Sequence, residues 1–203
     1  MTRNHIMILF VCNLVYSANY KITIATYSWV NIDCGAETSY KDSSGIEWKT
    51  DEDFAKSGQN KQVTNNGLDV SAQMDTLRFF RNLNKNCYSI PTPSKVKYLI
   101  RAGFFYGNYN GLGKPPVFDL VFNGNKWVTV ITSIDKPVFY EMIFATTGDS
   151  IDICVATTRP DQLPFISSLE VMPLDEKMYD KMNRNYAWFL SYRSHFGGTD
   201  IIG

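Results

Sequence analysis

Histidine is nearly absent from this chain of 203 residues: only His5 and His195 occur, one in an apolar N-terminal stretch and one in a glycine-bearing tail. A Ser-His-Asp arrangement therefore has no well-placed base. Aspartates and glutamates are present, but no pair is singled out by spacing for glycoside hydrolysis, and no catalytic residue is expected. Net charge is also missing. Twenty Lys and Arg balance twenty Asp and Glu, with no like-charge run, so nothing supports nucleic-acid binding, which needs a basic face. No segment approaches ~18 uninterrupted apolar residues, so no transmembrane helix is expected within the chain. Asn-x-Ser/Thr sequons, internal repeats and low-complexity tracts are lacking too. The four cysteines, Cys12, Cys34, Cys87 and Cys154, are spaced too widely for a zinc ribbon or a CxxC redox motif. No metal and no cofactor is expected.

What is present is aromatic and β-branched. Aromatics make up 14% of the chain, with 12 Tyr and 13 Phe, which favours β architecture. Strand signals recur at Ile22–Ile32, Ile46–Trp48, Leu77–Phe80, Lys97–Tyr106, Val117–Phe122, Lys126–Ile134, Val138–Ala145, Ser150–Ala156 and Ser168–Met172. Turn sequences such as Asp135-Lys136-Pro137 and Thr147-Gly148-Asp149 separate them, a spacing that predicts an all-β antiparallel sandwich or jelly roll. Asp51–Gly58 reads as one helical turn, Gln59–Asp75 as a long surface loop, and Lys177–Tyr192 as either a short helix or a strand. At the N-terminus Arg3 precedes the apolar run Ile6–Tyr16, then Ser17 and Ala18. This resembles a secretory signal, with a buried strand as its alternative. The chain thus divides into a signal (1–18), a lead-in (19–28), a sandwich lobe (29–193) and a C-terminal linker (194–203). Removal of the signal takes Cys12 with it. Three thiols are left, enough for one disulfide, for which Cys34 with Cys87 is the first choice.

The segment Tyr98–Trp127 holds the candidate site. Its two strands flank the loop Gly107–Pro116, which carries Asn108, Tyr109, Asn110, Gly111 and Gly113. Rings beside amides suit a sugar, whose C–H face stacks while its hydroxyls need planar hydrogen-bond partners. Tyr106 and Tyr109 are the expected stacking rings, with hydrogen bonds expected from Asn108, Asn110 and Arg101. The plainer role for Gly107 and Asn110-Gly111 is positive-φ backbone, and for Arg101 an ion pair with Asp119 or Glu141. Trp29, Trp48, Trp127 and Trp188 are expected in the core, as are Leu99, Ala102, Phe104, Phe118 and Leu120. The acidic group Asp33, Asp42, Glu47, Asp51 and Asp53 is expected to form a solvated face, with a calcium site as the alternative.

Several phrases in order resemble the malectin-like domain of plant leucine-rich-repeat receptor-like kinase ectodomains. They are Val30-Asn31-Ile32-Asp33-Cys34-Gly35, Tyr40-Lys41-Asp42, Ile46-Glu47-Trp48 with Asp51-Glu52-Asp53-Phe54, Leu77-Arg78-Phe79-Phe80, Asn86-Cys87-Tyr88, Arg101–Asn110, Pro164–Glu170 and Pro173-Leu174. The resemblance implies a jelly-roll β-sandwich displayed outside the cell, one lobe of a region that commonly holds two, and no kinase or membrane helix in this chain. It implies secretion or cell-surface display, with membrane attachment where the protein continues into a receptor. It also implies non-catalytic, lectin-like recognition of cell-wall carbohydrate or a glycosylated protein. The alternative is a co-receptor or decoy module that binds a receptor-kinase ectodomain or a peptide and no sugar. Where animal malectin has an adjacent pair of rings, this chain has Tyr106 followed by Gly107.

Overall fold

The computed structural model describes residues 29–64, 68, 70–81 and 84–189. The expected signal, lead-in and C-terminal linker, with His5, Cys12 and His195, lie outside the described residues. The elements begin with β1 (Val30–Asp33), β2 (Tyr40–Lys41), β3 (Glu47–Thr50) and β4 (Gln59–Gln62). After a 3-10 turn at Ala72–Met74 come β5 (Thr76–Phe79), β6 (Lys85–Pro91), β7 (Lys97–Phe104), β8 (Val117–Phe122) and β9 (Asn125–Ile131). The remainder is β10 (Val138–Ala145), β11 (Ser150–Ala156), β12 (Phe165–Ile166), β13 (Ser168–Pro173) and β14 (Trp188–Phe189). A seven-stranded sheet runs β14-β10-β7-β13-β1-β3-β2, a four-stranded sheet β6-β11-β8-β9, and a three-stranded sheet β12-β5-β4. All the paired strands are antiparallel except β1 with β3.

One core joins the three sheets, and alternation in the strands builds it. On β8 the inward residues are Phe118, Leu120 and Phe122, all buried. β7 lies between β10 and β13 and contributes Ile100, Ala102 and Phe104, while Leu99 is only half-buried. Phe104 is where the sheets meet. Its ring packs edge-on against Phe118 at 5.6 Å, Phe165 at 6.3 Å and Tyr140 at 6.2 Å, a favoured aromatic geometry.

The all-β sandwich predicted from strand spacing is the architecture found, and β8, β10 and β11 have their predicted limits. Asp51–Ala55 does form one turn, closed by Ala55 N–H donating to the Asp51 carbonyl at 2.9 Å. Other features differ. The polar stretch expected as a loop contains β4, which pairs with β5 although all four of its residues are exposed. β6, which carries no aliphatic run, alternates inward Asn86, Tyr88 and Ile90 with outward neighbours. Trp48 is core, but Trp29 and Trp188 are exposed, and the described part of the segment read as helix or strand, 177–189, forms turns leading into the short strand β14.

The disulfide also differs from the pair Cys34–Cys87: it joins Cys87 to Cys154, across a sequence separation of 67. The cause is facing. Cys87 and Cys154 stand directly opposite each other on β6 and β11, whereas Cys34 lies in the core as a free thiol. Successive strand residues point to opposite faces. Tyr88 goes inward towards Cys34 and sends Cys87 out. Closing a loop of that length restricts the unfolded chain by about 4 kcal/mol on the chain-entropy account.

The acidic group is not one solvated face. Asp51 is fully buried and accepts from Arg78 Nε and Nη2, both at 2.6 Å, and from the Tyr88 hydroxyl at 2.9 Å. Burial pushes the Tyr88 hydroxyl well above its ordinary pKa, so it stays a donor. Asp33 is buried too and accepts from Thr76 at 2.6 Å and Tyr40 at 2.8 Å. Burial raises its pKa in spite of those bonds. Asp42, at the surface, accepts from Trp48 Nε1 and from the Ser44 and Ile46 amides. The Trp48 bond, with those amides, holds its carboxyl below the ordinary 3.8.

Arg78→Ala strips a buried carboxylate of its ion pair and is expected to cost about 3–5 kcal/mol of unfolding free energy; urea titration reads the loss, and a change under about 1 kcal/mol would mean that water reaches Asp51. Asp42, being depressed when folded, stabilises at pH above its unfolded value and loses that contribution as pH falls through its folded value. Asp33, being raised, acts in the opposite sense, losing stability as pH rises through its folded value. Comparing the urea midpoints of the parent and Asp42→Ala, the gap at pH 6 is therefore expected to close below about pH 4. A gap independent of pH would refute the assignment.

Candidate functional site

Three connections converge at one edge of the sandwich: β5 to β6, β7 to β8, and β11 to β12. Thr157 N–H donates to the Asn84 carbonyl at 2.8 Å, and the Val117 amide and carbonyl bond Gln162 Oε1 and the Thr158 hydroxyl. The β7–β8 loop contains the residues chosen from sequence, and the structure assigns them unequal parts.

Tyr106 is fully buried. It packs against Tyr109 at 5.6 Å and Phe165 at 6.4 Å, so its ring is core and has no face free for a sugar. This corrects the stacking role expected of it. Its hydroxyl lies 2.5 Å from Asn110 Oδ1 and 3.2 Å from Asn108 Oδ1, and accepts from the Lys114 amide at 3.3 Å. The same amide oxygens take the Leu112 and Gly113 backbone N–H groups at 3.1 and 2.8 Å. The loop is thus wound around one phenol. Gly107 is needed there: its φ is +46°, and a Cβ would come within 2.1 Å of Val63 Cγ1. That contact explains why no second ring follows Tyr106.

Tyr109 is half-buried, its ring 5.4 Å from Phe79 and 5.6 Å from Phe165. Its hydroxyl is shielded from solvent without a hydrogen-bond partner among the described residues. Burial, with the neighbouring Tyr106, pushes its pKa up to about 12. Asn108 and Asn110 are exposed, and their amide nitrogens make no hydrogen bond among the described residues, so these donors face outward. Arg101 is elsewhere. It stands between Glu141 of β10 and Glu170 of β13 at 3.3 and 4.0 Å, stacked over Phe139 at 4.3 Å. Glu141 was one of the two partners expected for it; Asp119 instead bonds Lys126 and Thr129.

Beside the loop lie two adjoining clefts that share Leu163. The larger, about 500 Å³, is walled by Arg81, Asn84, Thr157, Thr158, Arg159 and Pro160. The smaller, about 260 Å³, lies between Asn110, Leu112, Lys114 and Pro116 on one side and Asp161 and Gln162 on the other. Of these, sequence reasoning had selected only Asn110. Arg159-Pro160-Asp161 has the composition of a turn, and Arg81 carries no signal in the sequence beyond following a strand.

The sandwich has counterparts among known proteins. The family model of the malectin-like domain matches residues 32–202. The chain belongs to the malectin-like domain family. Receptor-like protein kinase At3g21340 of Arabidopsis thaliana is 32% identical over 179 residues, which covers 85% of this chain and 20% of the kinase. Among solved structures, the ANX2 ectodomain from Arabidopsis thaliana superposes with a TM-score of 0.65 at 20% identity, covering 73% of this chain and 43% of that one. The complex of the plant peptide RALF23 with FER and LLG2 gives a TM-score of 0.59 at 16% identity, covering 75% and 41%. At those identities the likeness is one of fold. This malectin-like chain spans about a fifth of the kinase's length and less than half of either solved chain.

The structure of this malectin-like edge yields a direct test. Asn110→Ala removes an acceptor from the Tyr106 phenol and the Leu112 amide, and is expected to lower unfolding free energy by about 1–2 kcal/mol. Adding Tyr106→Phe should recover part of that loss, because it removes the stranded hydroxyl. Thermal or urea unfolding of both variants decides it; a double variant less stable by the sum of the two single losses would refute the pinning role.

Proposed function

We propose that this malectin-like chain is a non-catalytic, extracellular recognition module that engages a protein or peptide partner through its loop edge. One observation carries this choice over a lectin: the rings that would have stacked a sugar are drawn towards the core, Tyr106 completely and Tyr109 in part. What the edge offers instead is arginine, amide, proline and leucine around an open groove, a mixture suited to a polypeptide. The disulfide fits an oxidising, extracellular setting. Among the described residues no helix is long and apolar enough to cross a membrane. A structural neighbour supports the reading by analogy, since its FER chain is seen with a peptide and LLG2.

Carbohydrate is the second reading, favoured by the outward amide groups of Asn108 and Asn110. Cell-wall polysaccharide or a glycosylated partner would then bind by hydrogen bonds without ring stacking. Surface plasmon resonance of the full chain against purified plant receptor-kinase ectodomains, run beside a glycan array, separates the two. Saturable binding to an ectodomain with no glycan retained is expected. Saturable glycan binding with no ectodomain partner would reverse the assignment to a lectin.

A further inference from the structure

Three cations and one carboxylate line the paired clefts: Arg81, Arg159 and Lys114 against Asp161. The chain as a whole is neutral, so this excess is local. Among the described residues the ion pairs are made by Arg78, Arg101 and Lys126; Arg81 and Arg159 make none. Arg81 is moreover held in place. Its guanidinium lies over the Phe79 ring at 5.1 Å, and that ring packs on Tyr109, whose hydroxyl is buried without a partner. A stacked arginine keeps its donor fork in one plane and loses little entropy on binding a carboxylate. Arg81, with Arg159 on the same threonine-lined cleft, forms an unsatisfied anion seat.

The groove also carries aliphatic side chains. Leu112 is 67% exposed, and Leu163 packs against the core where the two clefts meet. Among the described residues no aromatic ring lines either cleft, so a sugar would find no stacking face there. Exposed aliphatic groups of this kind suit a peptide side chain. In the smaller cleft Asp161 offsets the charge of Lys114, so the uncompensated positive charge lies at the arginine end.

We infer that this groove takes an extended acidic peptide segment, one carboxylate seated between Arg81 and Arg159 and an aliphatic side chain a few residues away against Leu112 and Leu163. This deepens the recognition-module reading and rests on it. The uncompensated arginine pair sets the direction in which the segment lies, with its acidic end towards Arg81 and Arg159.

The test uses the full chain and a fluorescein-labelled synthetic peptide of alternating acidic and leucine residues, followed by anisotropy. Its counterpart carries Asn and Gln in place of the acids. Saturable binding is expected for the acidic peptide alone. It should weaken about tenfold or more in Arg81→Gln/Arg159→Gln, fall with added salt, and weaken severalfold in Leu112→Ser. Both arginines and Leu112 are exposed, so unchanged near-ultraviolet circular dichroism will confirm that the variants fold. Equal binding by the double arginine variant, or by the amide peptide, would overturn the inference. So would a carboxylated oligosaccharide that binds where the peptide does not, which would also favour the lectin. A receptor ectodomain still bound equally well by the double variant would overturn the groove and leave the recognition module standing.

Discussion

The buried Asp51 carboxylate is the constraint on which the surrounding structure depends. A charge taken out of water must be fully satisfied, and here satisfaction requires three chain segments at once. Asp51 follows β3, Arg78 comes from β5, and Tyr88 comes from β6. The turn after Asp51 is in turn bridged to β6 through Ala55 and Tyr88, and Arg78 also donates to the Ser57 carbonyl at 3.3 Å. Gly58 completes the arrangement. At φ +97°, any Cβ there would lie 2.7 Å from both Arg78 Cγ and Phe80 Cε1. Apolar residues of similar volume would often be as stabilising as such a pair; what the pair secures is register. Shifting β5 or β6 by one residue would turn Arg78 or Tyr88 to the other face and strand the charge.

The same strands carry the walls of the groove. Cys87 and Cys154 join β6 to β11 covalently. Beyond them the pairing continues through Asn86 with Val155 and Lys85 with Ala156 to the Thr157–Asn84 hydrogen bond. The network fixes β6 from inside the sandwich and the disulfide fixes it from outside, so Asn84, Thr157 and Thr158 stand on a rigid base. The loop opposite is built differently. It is ordered by its own side chains around the Tyr106 hydroxyl, which leaves Leu112 and Lys114 projecting while the asparagine oxygens turn inward.

Much of the architecture was legible in the sequence. Alternating apolar residues between turn sequences located β8, β10 and β11, and the order of phrases pointed to the malectin-like fold. β4 and β6 escaped because pairing partners, rather than their own composition, make them strands: Gln59–Gln62 is polar throughout, and Lys85–Pro91 buries an asparagine and a tyrosine among only one aliphatic residue. The site was less legible. Tyr106, Asn108 and Asn110 have the chemistry of sugar contacts, but side-chain chemistry does not specify which way a group faces, and here the phenol and the amide oxygens face each other.

By itself the sequence determined the all-β class and the place of the aromatic loop between two strands, because these follow from local periodicity and turn chemistry, and its ordered phrases carried the resemblance to the family. Tertiary structure alone decided that Cys87 pairs with Cys154, that Asp51 and Arg78 meet in the core, and that Arg81 and Arg159 flank one cleft. Each of those pairs is far apart along the chain and is brought together by strand register and by the alternation of faces, which composition does not record.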